Sequence, residues 1–116
     1  MYITKTDYLE YTFCRKNLWL KKYKPEIFEN LKLSDFEKKI IEEGNIADKE
    51  ARHLFPEGKL IDSQGRYAIT ETNKYIRNKE GVIFQATFFE DDFYIRADIL
   101  VYNSKVKAYE LYEVKA

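Results

Sequence analysis

From residue 82 onward the sequence changes its period. Val82–Glu90 (VIFQATFFE), Phe93–Tyr102 (FYIRADILVY) and Val106–Ala116 (VKAYELYEVKA) follow one another as three runs rich in β-branched and aromatic residues, the composition of strands. Glu90-Asp91-Asp92 separates the first two and Asn103-Ser104 the last two, both of them turn-forming. Connections this short permit only hairpins, because a parallel crossover needs a dozen residues or more. An antiparallel three-stranded meander is expected over 82–116, and what precedes it must cover one of its faces.

Upstream, apolar residues recur at helical spacing. The first stretch runs from Thr6 to Lys24, with Tyr8, Tyr11, Leu18 and Trp19 on its apolar side and Thr4 or Thr6 as its cap. Pro25 ends it, since a residue before proline is pushed out of the helical region. The second runs from Ser34 to Leu54. Ser34 and Glu37 have the spacing of a capping box, and Phe36, Ile40, Ile41, Ala47, Ala51 and Leu54 supply a stripe to bury. Gly44 interrupts that helix at about 1 kcal/mol relative to alanine, which points to close packing there. Pro56-Glu57-Gly58 forms a turn, residues 59–69 are irregular or weakly stranded, and a short helix capped at Thr70 reaches Asn78. The order describes one α+β domain: helical over 1–58, a connector with a short helix over 59–81, and the meander over 82–116.

Composition narrows the function. At 45% hydrophobic and 16% aromatic, the 116-residue chain can build a core, unlike a disordered one. Twenty acidic side chains balance twenty basic ones, so any attraction to nucleic acid must come from a local patch. No apolar run reaches the ~18 residues of a membrane span, and the opening MYITKTDYLE lacks the apolar region of a signal peptide. The single cysteine, Cys14, can form no internal disulfide, which suits a reducing compartment. These features describe a soluble, cytoplasmic protein without a membrane partner. One basic patch is present: CRKNLWLKKYK interleaves Arg15, Lys16, Lys21, Lys22 and Lys24 with Trp19 and Tyr23. It reads either as a solvated helix face around a buried aromatic or as a contact for phosphates.

Chemistry concentrates in the last two strands. In RADIL, Asp98 shares a face with Arg96 and Leu100, and in the closing ELYEVKA, Glu113 shares one with Lys115. With Asn103-Ser104 as the loop, Tyr102 pairs with Lys105 and Asp98 comes near Tyr109. Glu113 then lies a diagonal step away, to be reached by twist or a bulge. Carboxylates facing each other across a sheet repel unless a cation lies between them. A hard divalent cation, Mg²⁺ or Mn²⁺, suits such oxygen donors. The backbone carbonyl of Val114 could be a further ligand, with Lys115 beside the bound water. The plainer alternative is a half-exposed sheet in which Asp98 pairs with Arg96 or Lys115. The tripeptide E-x-K alone decides nothing, because Glu37-Lys38-Lys39 supplies another on a helix.

RADIL and YEVKA together resemble the D…(D/E)xK core of the PD-(D/E)XK nuclease superfamily. The wider arrangement is similar to its RecB-like branch, which includes CRISPR-associated exonucleases. CRKNLWL resembles that branch's opening helix, Gly44–Ala51 (GNIADKEA) its second helix, and Ile83–Phe88 (IFQATF) the strand before the aspartate. The likeness runs from about Asp7 to Ala116 in the family's order. It implies a restriction-endonuclease-like core, with Asp98 and Glu113 as metal ligands and Lys115 beside the attacking water. Ala97 stands where the family name has proline. Asp48 stands where many RecB-like nucleases have a metal-binding histidine, and it can offer oxygen to a metal or pair with Arg52 one turn on. The only histidine, His53, lies about 140° further round the helix and reads as a packing or surface residue. Gln85, where relatives often carry Glu, can hydrogen-bond a metal water or face solvent. Some relatives build an iron–sulfur cluster on an N-terminal cysteine and three later ones. This chain alone cannot, so Cys14 reads as a buried thiol.

The resemblance therefore implies Mg²⁺- or Mn²⁺-dependent hydrolysis of DNA, single-stranded DNA included. Lys115 and Arg96 would steady the phosphate, and Arg15, Lys16 and Gln85 would be further substrate contacts. The family core continues past its lysine into a helix and another strand. The chain accordingly reads as the N-terminal part of a longer protein, whose missing C-terminal region or a partner chain covers the sheet. The rival reading is a non-catalytic nucleic-acid- or protein-binding module that keeps the fold.

Overall fold

The computed structural model describes residues 2–29 and 34–116. Among them the elements run β1 (Ile3–Thr4), α1 (Lys5–Phe13), α2 (Arg15–Tyr23), α3 (Pro25–Phe28), α4 (Asp35–Arg52), β2 (Lys59–Leu60), α5 (Gly65–Arg77), β3 (Val82–Glu90), β4 (Phe93–Asn103) and β5 (Ala108–Tyr112). The chain is α+β. The expected meander is present, but as the centre of a five-stranded sheet: β1 adds to β4 and β2 adds to β3, each in parallel and only two residues long. Strands this short carry too little pattern to be legible in sequence.

The hairpin between β3 and β4 turns at Asp91 and Asp92, both at positive φ, the geometry that matches strand twist in a two-residue loop. The next connection is longer than expected. Asn103 stays in β4, and its Oδ1 accepts a hydrogen bond from the Lys105 N–H, a local turn that asparagine favours. The loop is consequently Ser104–Lys107, and Tyr102 pairs with Tyr109 rather than Lys105. The shift is even, so β5 keeps its faces.

Two core clusters fill the sheet's two faces. Ile61, Ala68, Ile83, Ala86, Ala97 and Leu100 form one, beneath α5, with Tyr75, Ile76 and Tyr109 packed against it. Val82, Phe84 and Ile99 form the other, met by Ala51 and Phe55 from the end of α4 and by Val114. Gly58 sits against that second cluster so closely that a Cβ there would overlap the Phe84 ring. Helix α5 begins at Gly65, not Thr70. Its start is held by tertiary structure: Gly65 takes φ +58, and its N–H donates to the Tyr94 hydroxyl at 3.0 Å. Thr70 lies inside the helix and bonds back to the Arg66 carbonyl. Further on, the buried Thr72 hydroxyl donates to the Ala68 carbonyl and accepts from the Thr87 N–H, 2.8 Å each. It thereby satisfies β3 on the edge that β2 leaves uncovered.

The N-terminal helical stretch is two helices. Cys14 adopts extended φ −157 between α1 and α2 and is half-buried rather than buried. Thr4 caps α1 in a full capping box with Asp7, and Pro25 both ends α2 and opens α3. Ser34 and Glu37 form the expected capping box on α4. Most of the anticipated α4 stripe is exposed, from Phe36 to Leu54, and nothing approaches a Cβ built on Gly44. Only the last turns of α4 reach the sheet. Trp19 is half exposed and leans on Tyr23, so the basic run surrounds no buried aromatic.

Candidate functional site

The site follows from one defect in the β3–β4 ladder. Pairing runs continuously except at Gln85 opposite Asp98, and Gln85 takes φ +61, a region that non-glycine residues enter at a cost. Side-chain alternation resets there. Ile83 and Ala86, three apart, lie in one core cluster, as do Ala97 and Leu100. Gln85 and Asp98 are thereby turned toward α4, on the side of Phe84 and Ile99. Interrupted ladders re-aim side chains in this way.

The two residues meet α4 across an open concavity of about 580 Å³, whose polar wall includes Asp48, Arg52, Asp62, Gln85, Arg96 and Asp98. The Gln85 amide donates to Asp48 Oδ1 at 3.3 Å, and Asp48 is also paired with Arg52. Of the two alternatives for Asp48, the structure has the helix pair with Arg52, at the wall of the cavity. Arg96 donates to the carbonyls of Ile61 (2.6 Å) and Ser63 (3.2 Å), which pins the connector and fixes the guanidinium in the wall. Among the described residues, the buried Nε atoms of Arg52 and Arg96 have no hydrogen-bond partner. Val114 also lines this concavity, and its N–H donates to Asp98 Oδ2 at 2.9 Å.

Glu113 does not line that concavity. The β4–β5 register ends at Ile99 with Tyr112, so the next residues in line are Asp98 and Glu113. The longer loop has removed the diagonal step. The outer edge of β4 explains why both border open space. β1 covers it at Phe93 and Tyr94 and β5 from Ile99 onward, leaving 95–98 without a strand partner there. Because β1 is parallel to β4 and β5 antiparallel, their carboxyl ends point at each other across the gap. Lys5, following β1, meets Glu113, following β5, in an ion pair. Asp98, Lys5 and Glu113 line one hollow of about 110 Å³. The mostly exposed Lys115 reaches the same Glu113 oxygen at 3.2 Å.

No family model, curated protein or solved structure matches this chain. The site is therefore read on its own geometry. Asp98 is its centre, shared by the concavity that holds Asp48, Gln85, Arg96 and Val114 and by the hollow that holds Glu113. Arg15 and Lys16 do not line the concavity; Arg15 lies over the Tyr11 ring at 5.3 Å. His53 is on the surface beside Glu50. Sequence reasoning missed Lys5 and Asp62. Lys5 is far from Glu113 along the chain, and no local pattern marks it. Among the described residues no three Asp, Glu, His or Cys side chains are grouped closely enough to hold a metal ion, and no helix is long and apolar enough to cross a membrane.

Proposed function

We propose that the chain carries the acidic centre of a divalent-metal-dependent nuclease that hydrolyses DNA phosphodiester bonds. What supports this reading is that Asp98 and Glu113 line one hollow at an unpaired stretch of strand edge. The donors are carboxylate and carbonyl oxygens, a set suited to a hard cation. Asp98, Glu113 and the Val114 carbonyl would hold Mg²⁺ or Mn²⁺, with Asp48 in the wall of the concavity that Asp98 also lines. Such a cation supplies an activated water and offsets charge developing on the phosphoryl oxygens. The chain's own contribution is positional. Arg96 keeps a fixed positive charge in the wall of the concavity, with Arg52 also in that wall, a lining that suits an anionic guest. Lys115 brings a mobile ammonium to Glu113, where it can face a phosphate.

A second reading, a binding module without hydrolysis, draws on the two ammonium groups that already neutralise Glu113. Calorimetric titration of Mn²⁺ separates the two. The nuclease reading expects binding in the micromolar-to-millimolar range, lost in both Asp98→Ala and Glu113→Ala. Absence of binding in a folded wild-type chain, with both variants equally stable, would sink it and leave the binding module.

A further inference from the structure

We infer that Lys5 is the built-in counter-ion of the Asp98–Glu113 pair and that its ammonium holds the position a divalent cation would take, so that Lys5 and metal compete for Glu113. The inference deepens the metal-site reading above and rests on it.

The geometry is specific to Lys5. It is the first residue of α1, directly after the Thr4 cap, where the helix dipole disfavours a cation. That cost is small at an exposed site, and Glu113, in direct contact, offsets it. Lys5 also bounds both smaller hollows in which Asp98 is a wall, one with Glu113 and one with Thr4, Thr6 and Tyr94. It therefore stands against Glu113, with Asp98 in the wall of the same hollow. Side chains of Lys5 and Glu113 are 51% and 43% exposed, so the pair is solvent-screened and exchangeable. A divalent ion can displace it, and the freed ammonium, tethered at the α1 terminus, remains beside the hollow.

The test is Mn²⁺ calorimetry on the full chain for wild type, Lys5→Met, Lys5→Arg and Lys16→Met, with circular dichroism melts alongside; Lys5→Gln replaces the methionine variant should that one not fold. Removing the Lys5 charge is expected to tighten Mn²⁺ binding about fivefold, the equivalent of an exposed ion pair of about 1 kcal/mol. Lys5→Arg and Lys16→Met should keep the wild-type value. Equal affinity in wild type and Lys5→Met overturns it while leaving the metal site standing. Silence in both folded proteins overturns the inference and the metal reading together.

Discussion

Asp7 is a charged residue buried to 1% exposure, and its surroundings explain how that is tolerated. One oxygen accepts from Lys21 and the other from Lys22 and the Thr4 N–H. Burial alone would raise its pKa, but the hydrogen bonds from Lys21, Lys22 and Thr4 outweigh it and hold the carboxyl well below the usual carboxylate range. Two members of the basic run are thereby spent on joining α2 to the start of α1, a role its composition does not disclose. Asp7→Asn should lose about 2–3 kcal/mol at neutral pH by taking the charged acceptor away from two partly exposed ammonium groups. The folded chain protonates Asp7 less readily than the unfolded one. The contribution is therefore complete above the unfolded value and is lost as pH falls toward the folded one. The stability gap between wild type and variant, measured by urea denaturation, should be constant near neutrality and narrow below about pH 4. A gap that is unchanged down to pH 3 would contradict the ion-paired assignment.

At the scale of elements, the β3–β4 ladder break is the feature that turns a meander into a site. Strict alternation along RADIL places Asp98 with Arg96 and Leu100; the break instead puts Leu100 in the α5-side core and Asp98 at the α4-side concavity. Period-two reasoning fails here because it assumes that every residue stays in the β region, and Gln85 does not. Glycine adopts positive φ freely, so Gln85→Gly should raise the unfolding free energy by about 1 kcal/mol through relief of that strain. A loss of stability instead would mean that the Gln85–Asp48 hydrogen bond outweighs the backbone cost. The β4–β5 loop teaches a similar lesson. Asn-Ser was legible as a turn, but which residues lie inside it was set with the Asn103 side chain, and the alignment of Glu113 with Asp98, one step past the last pair, depends on that choice.

Across the whole molecule, burial is uneven. Both core clusters draw on β3 and β4, with α5 packed closely on one face, whereas every residue from Ser34 to Glu43 is exposed. Native-state hydrogen exchange should therefore assign the global unfolding free energy to amides of α5, β3 and β4. Amides of α3 and the first half of α4 should exchange at least about a hundredfold faster through local opening. Uniform protection along α4 would show that its exposed stripe is covered in solution. The sequence by itself determined the long strands β3 and β4, the antiparallel place of a third and the Ser34–Glu37 cap, because each depends on neighbours a few residues apart; that third strand, expected over 106–116, is only Ala108–Tyr112 and leaves Glu113 and Lys115 beyond it. Tertiary structure alone decided the two short parallel strands, the start of α5 on Tyr94, the reset at Gln85 and the Lys5–Glu113 contact. Those depend on groups brought together from distant parts of the chain, which no local period encodes.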